Sequence, residues 1–294
     1  MKRKWPMYFA VIFLIFTAVL IVKNLWQGQD LIKPQAFFDK RPTLESTVQK
    51  AFEGAQGIYA VYIKNFKTGE IYSKDSELEF QTGSLYKLWI MAATFKEIQV
   101  GNLKEDEELS EDVETLNNIF NIVPNAQELA EGTITLTTKD AISQMITISH
   151  NYAALLLTEK IKLSKVASYL RENGLDKSAV GTGGDSPVST ASDIALFFEK
   201  LYRGELVNKE LSQKMIDLLR NQKLNDGLPK YLPDKSKVAN KTGDIGWFKH
   251  DGGVVFTDKG DWVIVILSES DYPAGAQERI ALVSKAVYDY FSGK

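Results

Sequence analysis

Residues 80–98 read FQTGSLYKLWIMAATFKEI. The run predicts an apolar helix from Ser84 to about Ile98, entered through Thr82-Gly83. Ser84-Leu85-Tyr86-Lys87 places a hydroxyl at that helix start and an amine one turn further in, and residues three apart share a helix face. No other serine in the chain has a lysine three positions later. A serine hydroxyl is a poor nucleophile until a base comes within hydrogen-bond reach. A lysine can serve if burial or nearby positive charge lowers its pKa. The helix start adds backbone N–H groups and a partial positive charge for a developing oxyanion. By itself the pair is also what an ordinary helix with a surface lysine shows.

Outward from this helix, the pattern changes period. Leu44 to Phe52 has helical spacing, Gly57 to Phe66 reads as a strand, and Lys67 to Glu70 is a turn into a return strand at Ile71. Helical spacing then dominates: Thr137–Thr147, Tyr152–Lys160, Lys165–Asn173, Thr190–Arg203 and Asn208–Gln222. Strands return at Lys237–Asp244, Gly252–Thr257 and Asp261–Ser268, and Ala276–Phe291 is a closing amphipathic helix. This order suits an α/β (α+β) fold. One antiparallel sheet is closed by sequence-distant strands, and an all-helical lobe is inserted between them. The acidic segment Lys104 to Thr115 reads as a solvated surface.

Two further elements carry polar chemistry. Ser149-His150-Asn151 lies on the turn between two predicted helices, where a hydroxyl and an amide can face one cleft; Ser and Asn are also common helix caps. Lys241-Thr242-Gly243 lies on a late strand, where glycine allows close backbone approach. A second Lys-Thr-Gly at positions 67–69 sits in a hairpin turn before the serine and is assigned no role.

The combination is more specific than its parts. S-x-x-K, S-x-N and K-T-G occur in that order at a helix start, an interhelical turn and a late strand, and in this the chain resembles the class A β-lactamase and penicillin-binding protein superfamily. The likeness runs from about Leu44 to the last helix and implies a β-lactamase/transpeptidase-like fold. It implies Ser84 as acylated nucleophile, Lys87 as its base or proton relay, and Ser149 as donor to the leaving nitrogen. Asn151 would bind the substrate's amide side chain, and Lys241 and Thr242 its carboxylate. The backbone N–H groups of Ser84 and Asp244 would form the oxyanion hole. The implied substrate is a β-lactam or a D-Ala-D-Ala-like peptidoglycan peptide, and no metal or organic cofactor is implied.

Three departures from that pattern stand out. Class A enzymes carry a water-activating glutamate in the loop after S-x-N, but Gly174 to Thr190 holds only Asp176 and Asp185 as carboxylates. Asp185 reads as a turn residue or as a substitute base, and Glu172 just upstream as an exposed helix residue. The middle of S-x-N is His150, which could titrate near neutral pH or simply replace a structural residue. No arginine follows K-T-G on the strand; His250-Asp251 stands there, either as a pair that orients the strand or with Lys249 or His250 as a carboxylate contact. An H-D pair at this place is similar to a divergent branch of β-lactamase-related serine hydrolases.

Composition narrows the field. With no cysteine, disulfides, thiolate metal sites and cysteine nucleophiles are excluded. With two histidines and no HExxH, a histidine-rich metal site is not expected. A net charge of −3 and no basic stripe give nucleic-acid binding no support.

Residues 1–4 are basic, and Trp5 to Val22 contains no charge. With Trp5 and Trp26 as interfacial aromatics, residues 5–26 are expected to be a transmembrane anchor, basic end in the cytoplasm. The other reading is a cleaved signal peptide, for which no small-x-small site follows the apolar run. Residues 27–43 then form a linker and 44–294 an exported catalytic domain at the cell membrane. Three functions compete: a β-lactamase that completes turnover, a penicillin-binding carboxypeptidase-like protein that deacylates slowly, and a non-catalytic cell-wall binding or sensing module.

Overall fold

The computed structural model describes residues 42–181 and 185–293. The expected basic end, anchor and almost all of the linker lie outside the described residues. Among the described residues no helix is long and apolar enough to cross a membrane.

The chain begins with α1 (Leu44–Ala51), capped by Thr43, then β1 (Ile58–Asn65), β2 (Ile71–Lys74) and β3 (Phe80–Gln81). A single 3-10 turn, Gly83–Tyr86, leads into α2 (Lys87–Gln99). Then come β4 (Glu108–Asp112), α3 (Val113–Ile119), β5 (Thr133–Thr137), α4 (Thr138–Thr147), α5 (Asn151–Ile161) and α6 (Leu163–Glu172). After β6 (Val188–Ser189) come α7 (Ala191–Arg203) and α8 (Lys209–Arg220). The end is β7 (Val238–Ile245), β8 (Phe248–Val255), β9 (Trp262–Glu269) and α9 (Pro273–Ser292).

Five strands form one antiparallel sheet in the order β2-β1-β9-β8-β7. The first strands of the domain therefore close on the last, and the intervening helices form the lobe. β9 is central, and its run WVIVIL is buried on both faces, so it is continuously apolar rather than alternating. Trp262, Ile264 and Ile266 pack with Leu44, Val48, Ile280 and Val283 from α1 and α9. Val263, Val265 and Leu267 face the larger core of α2, α7 and the lobe. β7 lies at the sheet edge, beside the turn that carries Ser84.

Three stretches differ from the expectation. The helix expected from Ser84 opens as the 3-10 turn 83–86 and is α-helical only from Lys87. The acidic segment contains β4, which pairs with β5 as a separate ribbon and buries Leu109. One inward apolar residue among charges carries no readable period. β8 starts at Phe248 rather than Gly252, because its first inward positions are His250 and Asp251, polar residues that are buried and hydrogen-bonded.

Asp251 is 1% exposed. Its carboxyl accepts from Asn240 Nδ2 at 2.9 and 3.1 Å and from the Leu228 backbone N–H at 2.8 Å. Burial pushes its pKa up to about 7. Asp251→Ala leaves two buried donors unpaired, at about 1–3 kcal/mol each. Melting should therefore fall by at least about 4 °C, at about 2 °C per kcal/mol for a domain of this size. A calorimetric trace superimposable on that of the parent would mean that these bonds are replaced on mutation.

Candidate active site

Three segments distant in sequence converge on one cavity. The first is the turn Thr82–Tyr86. Its entry is held by β3, whose Phe80 and Gln81 pair with Ser189 and Val188, and by the Thr82 N–H on Pro187 O at 2.9 Å. The Leu85 N–H returns to Thr82 O at 3.1 Å and closes the turn. Gly83 has φ +49, and a Cβ there would lie 2.7 Å from the Asp244 nitrogen. A Cβ on Gly243 would lie 2.4 Å from Thr82 O. Two glycines thus let strand β7 press against the serine turn.

The second segment is the turn between α4 and α5. Ser149 adopts φ +60, a left-handed conformation that is strained for a residue with a Cβ and recurs at functional sites. The helix cap is neither Ser149 nor Asn151. It is His150, whose Nδ1 accepts the Ala153 N–H at 3.1 Å. That bond occupies the ring as a structural cap and leaves Ser149 and Asn151 free to turn inward.

The third element is a pair of lysines. Lys87 and Lys241 are both 0% exposed. Lys87 Nζ donates to Ser149 O at 2.5 Å, Ser149 Oγ at 3.2 Å and Asn151 Oδ1 at 2.5 Å. Lys241 Nζ donates to Ser149 Oγ at 3.1 Å and Thr242 O at 2.9 Å. The Ser149 hydroxyl therefore sits between two buried amines. Burial lowers the Lys87 pKa to about 8, against an upward pull from Glu128. Burial, aided by the charge of Lys87, lowers Lys241 to about 7. Two like charges sharing one hydroxyl in a dry site cannot both be held cheaply, so the pair sheds a proton far below the usual lysine range.

Ser84 is partly exposed and lines a cavity of about 390 Å³ with Glu128, Asn151 and Asp244. Among the described residues its Oγ makes no hydrogen bond, and Lys87 Nζ is engaged with the S-x-N turn. Such contacts often tighten only when substrate is bound.

The other expected residues are placed as follows. Thr242 is half-buried beside Lys241. Asp244 presents its backbone next to Gly83, and its carboxylate is paired with Lys249. His250 is 3% exposed, so it offers no carboxylate contact. Its Nδ1 accepts the Ser268 N–H at 3.0 Å, and its Nε2–H donates to Gln81 O at 2.7 Å. It is a strut between the sheet and the entry to the serine turn, kept neutral because burial lowers its pKa to about 4. Lys249 is likewise occupied by Asp244. Asp185 is exposed and lines an adjoining apolar cavity, not the one with Ser84; Glu172 lies outside both.

Sequence reasoning missed Glu128. It lines the Ser84 cavity and accepts from Asn151 Nδ2 at 2.5 Å. A lone glutamate in the loop after α3 carries no local signal. Among the described residues no group of three His, Asp or Glu side chains is placed to hold a metal ion.

Residues 43–291 match the sequence model described as the beta-lactamase enzyme family. No curated protein matches the chain. Similar solved structures include a β-lactamase from Sphaerobacter thermophilus, with 21% identity, TM-score 0.73 and coverage of 85% of this chain and 97% of that one. PBP-A is similar at 23% identity and TM-score 0.75, over 85% of this chain and 96% of its own; a mutant of it is described as an acyl-enzyme complex with penicillin G. The TLA-3 extended-spectrum β-lactamase follows at 17% identity and TM-score 0.73, over 84% and 98%. At these identities the likeness is one of fold.

Proposed function

The chain belongs to the beta-lactamase enzyme family, and on that premise we propose that it is a serine hydrolase that opens β-lactam amides through an acyl-enzyme on Ser84. The observation that carries this reading is the Ser149 hydroxyl held between the buried Lys87 and Lys241 amines, on the same turn as Asn151, which lines the cavity of Ser84. Neutral Lys87 takes the proton of Ser84 Oγ as the Oγ–carbon bond forms. The carbonyl oxygen becomes an oxyanion facing the N–H groups of Ser84 and Asp244. Ser149 gives its proton to the departing nitrogen and recovers one from the lysine pair. Lys241 and Thr242 meet the substrate carboxylate, and Asn151 its side-chain amide. A pure binding module has no use for a buried base one turn from a cavity-lining serine.

The absence of glutamate between Gly174 and Thr190 favours a second reading, a penicillin-binding, carboxypeptidase-like protein that is acylated in the same way and deacylates slowly. One experiment separates them. The full chain is incubated with a fluorescent penicillin and its mass followed over time, with Ser84→Ala as control. A transient adduct with accumulating product supports the hydrolase. A lasting adduct on Ser84 moves the function to the second reading, and no adduct sinks both.

Acylation should depend on pH in a definite sense. A base must be neutral to accept the Ser84 proton, and burial lowers the Lys87 pKa to about 8. Below that pH the rate should fall about tenfold per pH unit. Stopped-flow acylation between pH 5.5 and 9 measures it, and a flat profile would remove Lys87 as the base.

We also read residues 5–26 as an anchor that holds the domain outside the cytoplasm. The protein should stay with membranes after alkaline carbonate washing; release would favour a cleaved signal.

A further inference from the structure

Once Ser84 is acylated, turnover needs a base for water, since hydrolysis of an ester proceeds through removal of a water proton as the new bond forms. Lys87 Nζ is engaged with three acceptors on the S-x-N turn and serves Ser84 in the first half-reaction. Of the carboxylates near the cavity, Asp244 is tied to Lys249, and Asp185 faces the neighbouring cavity. Glu128 remains. It lines the cavity of Ser84, it is bonded to Asn151 Nδ2 at 2.5 Å, and its charge acts on both Lys87 and Tyr86.

Glu128 is exposed, but its backbone neighbour is fixed. The Leu129 N–H donates to Tyr152 Oη at 3.1 Å. Leu129 O accepts from Asn117 Nδ2 at 3.0 Å and from the Tyr152 hydroxyl at 2.7 Å. Tyr152 and Asn117 are 2% and 3% exposed, so the loop is pinned to the lobe core one residue from the carboxylate. Asn151 Nδ2 has two N–H bonds. One holds Glu128, and the other is available to an acyl-amide oxygen, so the residue that receives the substrate side chain also sets the carboxylate beside the acyl group.

We propose that Glu128 is the general base of the second half-reaction, reaching the acyl-enzyme from the loop between α3 and β5. Water oxygen bonds to the ester carbon as Glu128 takes a water proton. The carbon–Oγ bond then breaks, and the proton held on Glu128 passes to the departing Ser84 Oγ, so the net reaction consumes one water and returns Ser84 protonated, Glu128 ionised and Lys87 neutral. This inference rests on the acyl-enzyme reading of Ser84.

The test is Glu128→Gln in the full chain, with Glu131→Gln as control. Glu131 is also exposed on this loop and lies outside the cavity lining. Acylation by fluorescent penicillin and release of the product are timed separately by mass. E128Q should still form the Ser84 adduct, which also shows that it folds, with acylation changed by no more than about tenfold through the lost charge beside Lys87, and should release the acyl group about 10²–10⁴-fold more slowly. E131Q should match the parent in both steps. Release from E128Q at the parent rate, equal slowing in E131Q, or a parent that never releases the acyl group would each overturn the role of Glu128. A chain with no adduct on Ser84 would instead remove the acyl-enzyme reading beneath it.

Discussion

Lys87→Met should lower acylation of Ser84 by about 10²–10⁴-fold, the range for loss of a general base, while the domain stays folded. The side chain is fully buried, and methionine fills a similar volume. Two effects on stability oppose each other. Losing the amine leaves Ser149 O and Asn151 Oδ1 short of a donor, at about 1–3 kcal/mol each. It also removes a charge from a dry site, and the penalty for holding one there is several kcal/mol. The terms are of similar size, so melting should move little while acylation collapses. Lys87→Arg tests the base directly: a guanidinium keeps the positive charge but does not give up its proton. It should stay as inactive as K87M. Recovery of acylation in K87R would show that charge at this place is enough.

Gly243→Ala should reduce acylation by about 10²–10³-fold, the cost of one displaced oxyanion donor. The new Cβ would sit 2.4 Å from Thr82 O and 3.0 Å from Leu85 Cγ. Neither contact can be relieved by a swinging side-chain end, because one atom is backbone and the other belongs to a leucine that is 0% exposed. Strand β7 must therefore back away from the serine turn, taking the Asp244 N–H with it. Overpacking of this kind costs about 1–3 kcal/mol of stability, too little to unfold a typical domain. Circular-dichroism melting alongside acylation kinetics separates the two effects. A folded G243A that acylates at the parent rate would mean that the Asp244 N–H takes no part in stabilising the oxyanion.

Much of the fold is written in local pattern. α2 and β9 are legible as unbroken apolar runs because they are buried on all sides, and β1 as a run of β-branched and aromatic residues. Where burial depends on a polar partner, the pattern is lost: β8 begins at residues whose side chains are satisfied by Gln81, Ser268, Asn240 and Leu228. The same holds for the two histidines. His150 caps α5 and His250 braces the entry to Ser84, each through hydrogen bonds to backbone that the sequence alone does not reveal.

By itself, the sequence determined the order of strand, helix and strand, and the local setting of Ser84-Lys87, Ser149-Asn151 and Lys241-Thr242. Helix starts, turns and glycine-bearing strands depend on residues a few positions apart. Only the tertiary structure decided that Ser149 lies between two buried lysines, that His250 is sealed from the cavity, and that Glu128 rather than Asp185 shares it with Ser84. Those facts follow from the closing of β1 on β9 and the seating of the lobe on the edge strand, which bring together groups 60 to 170 positions apart and remove water from around them. Burial and long-range proximity set the charges of the site, and no short stretch of chain encodes either.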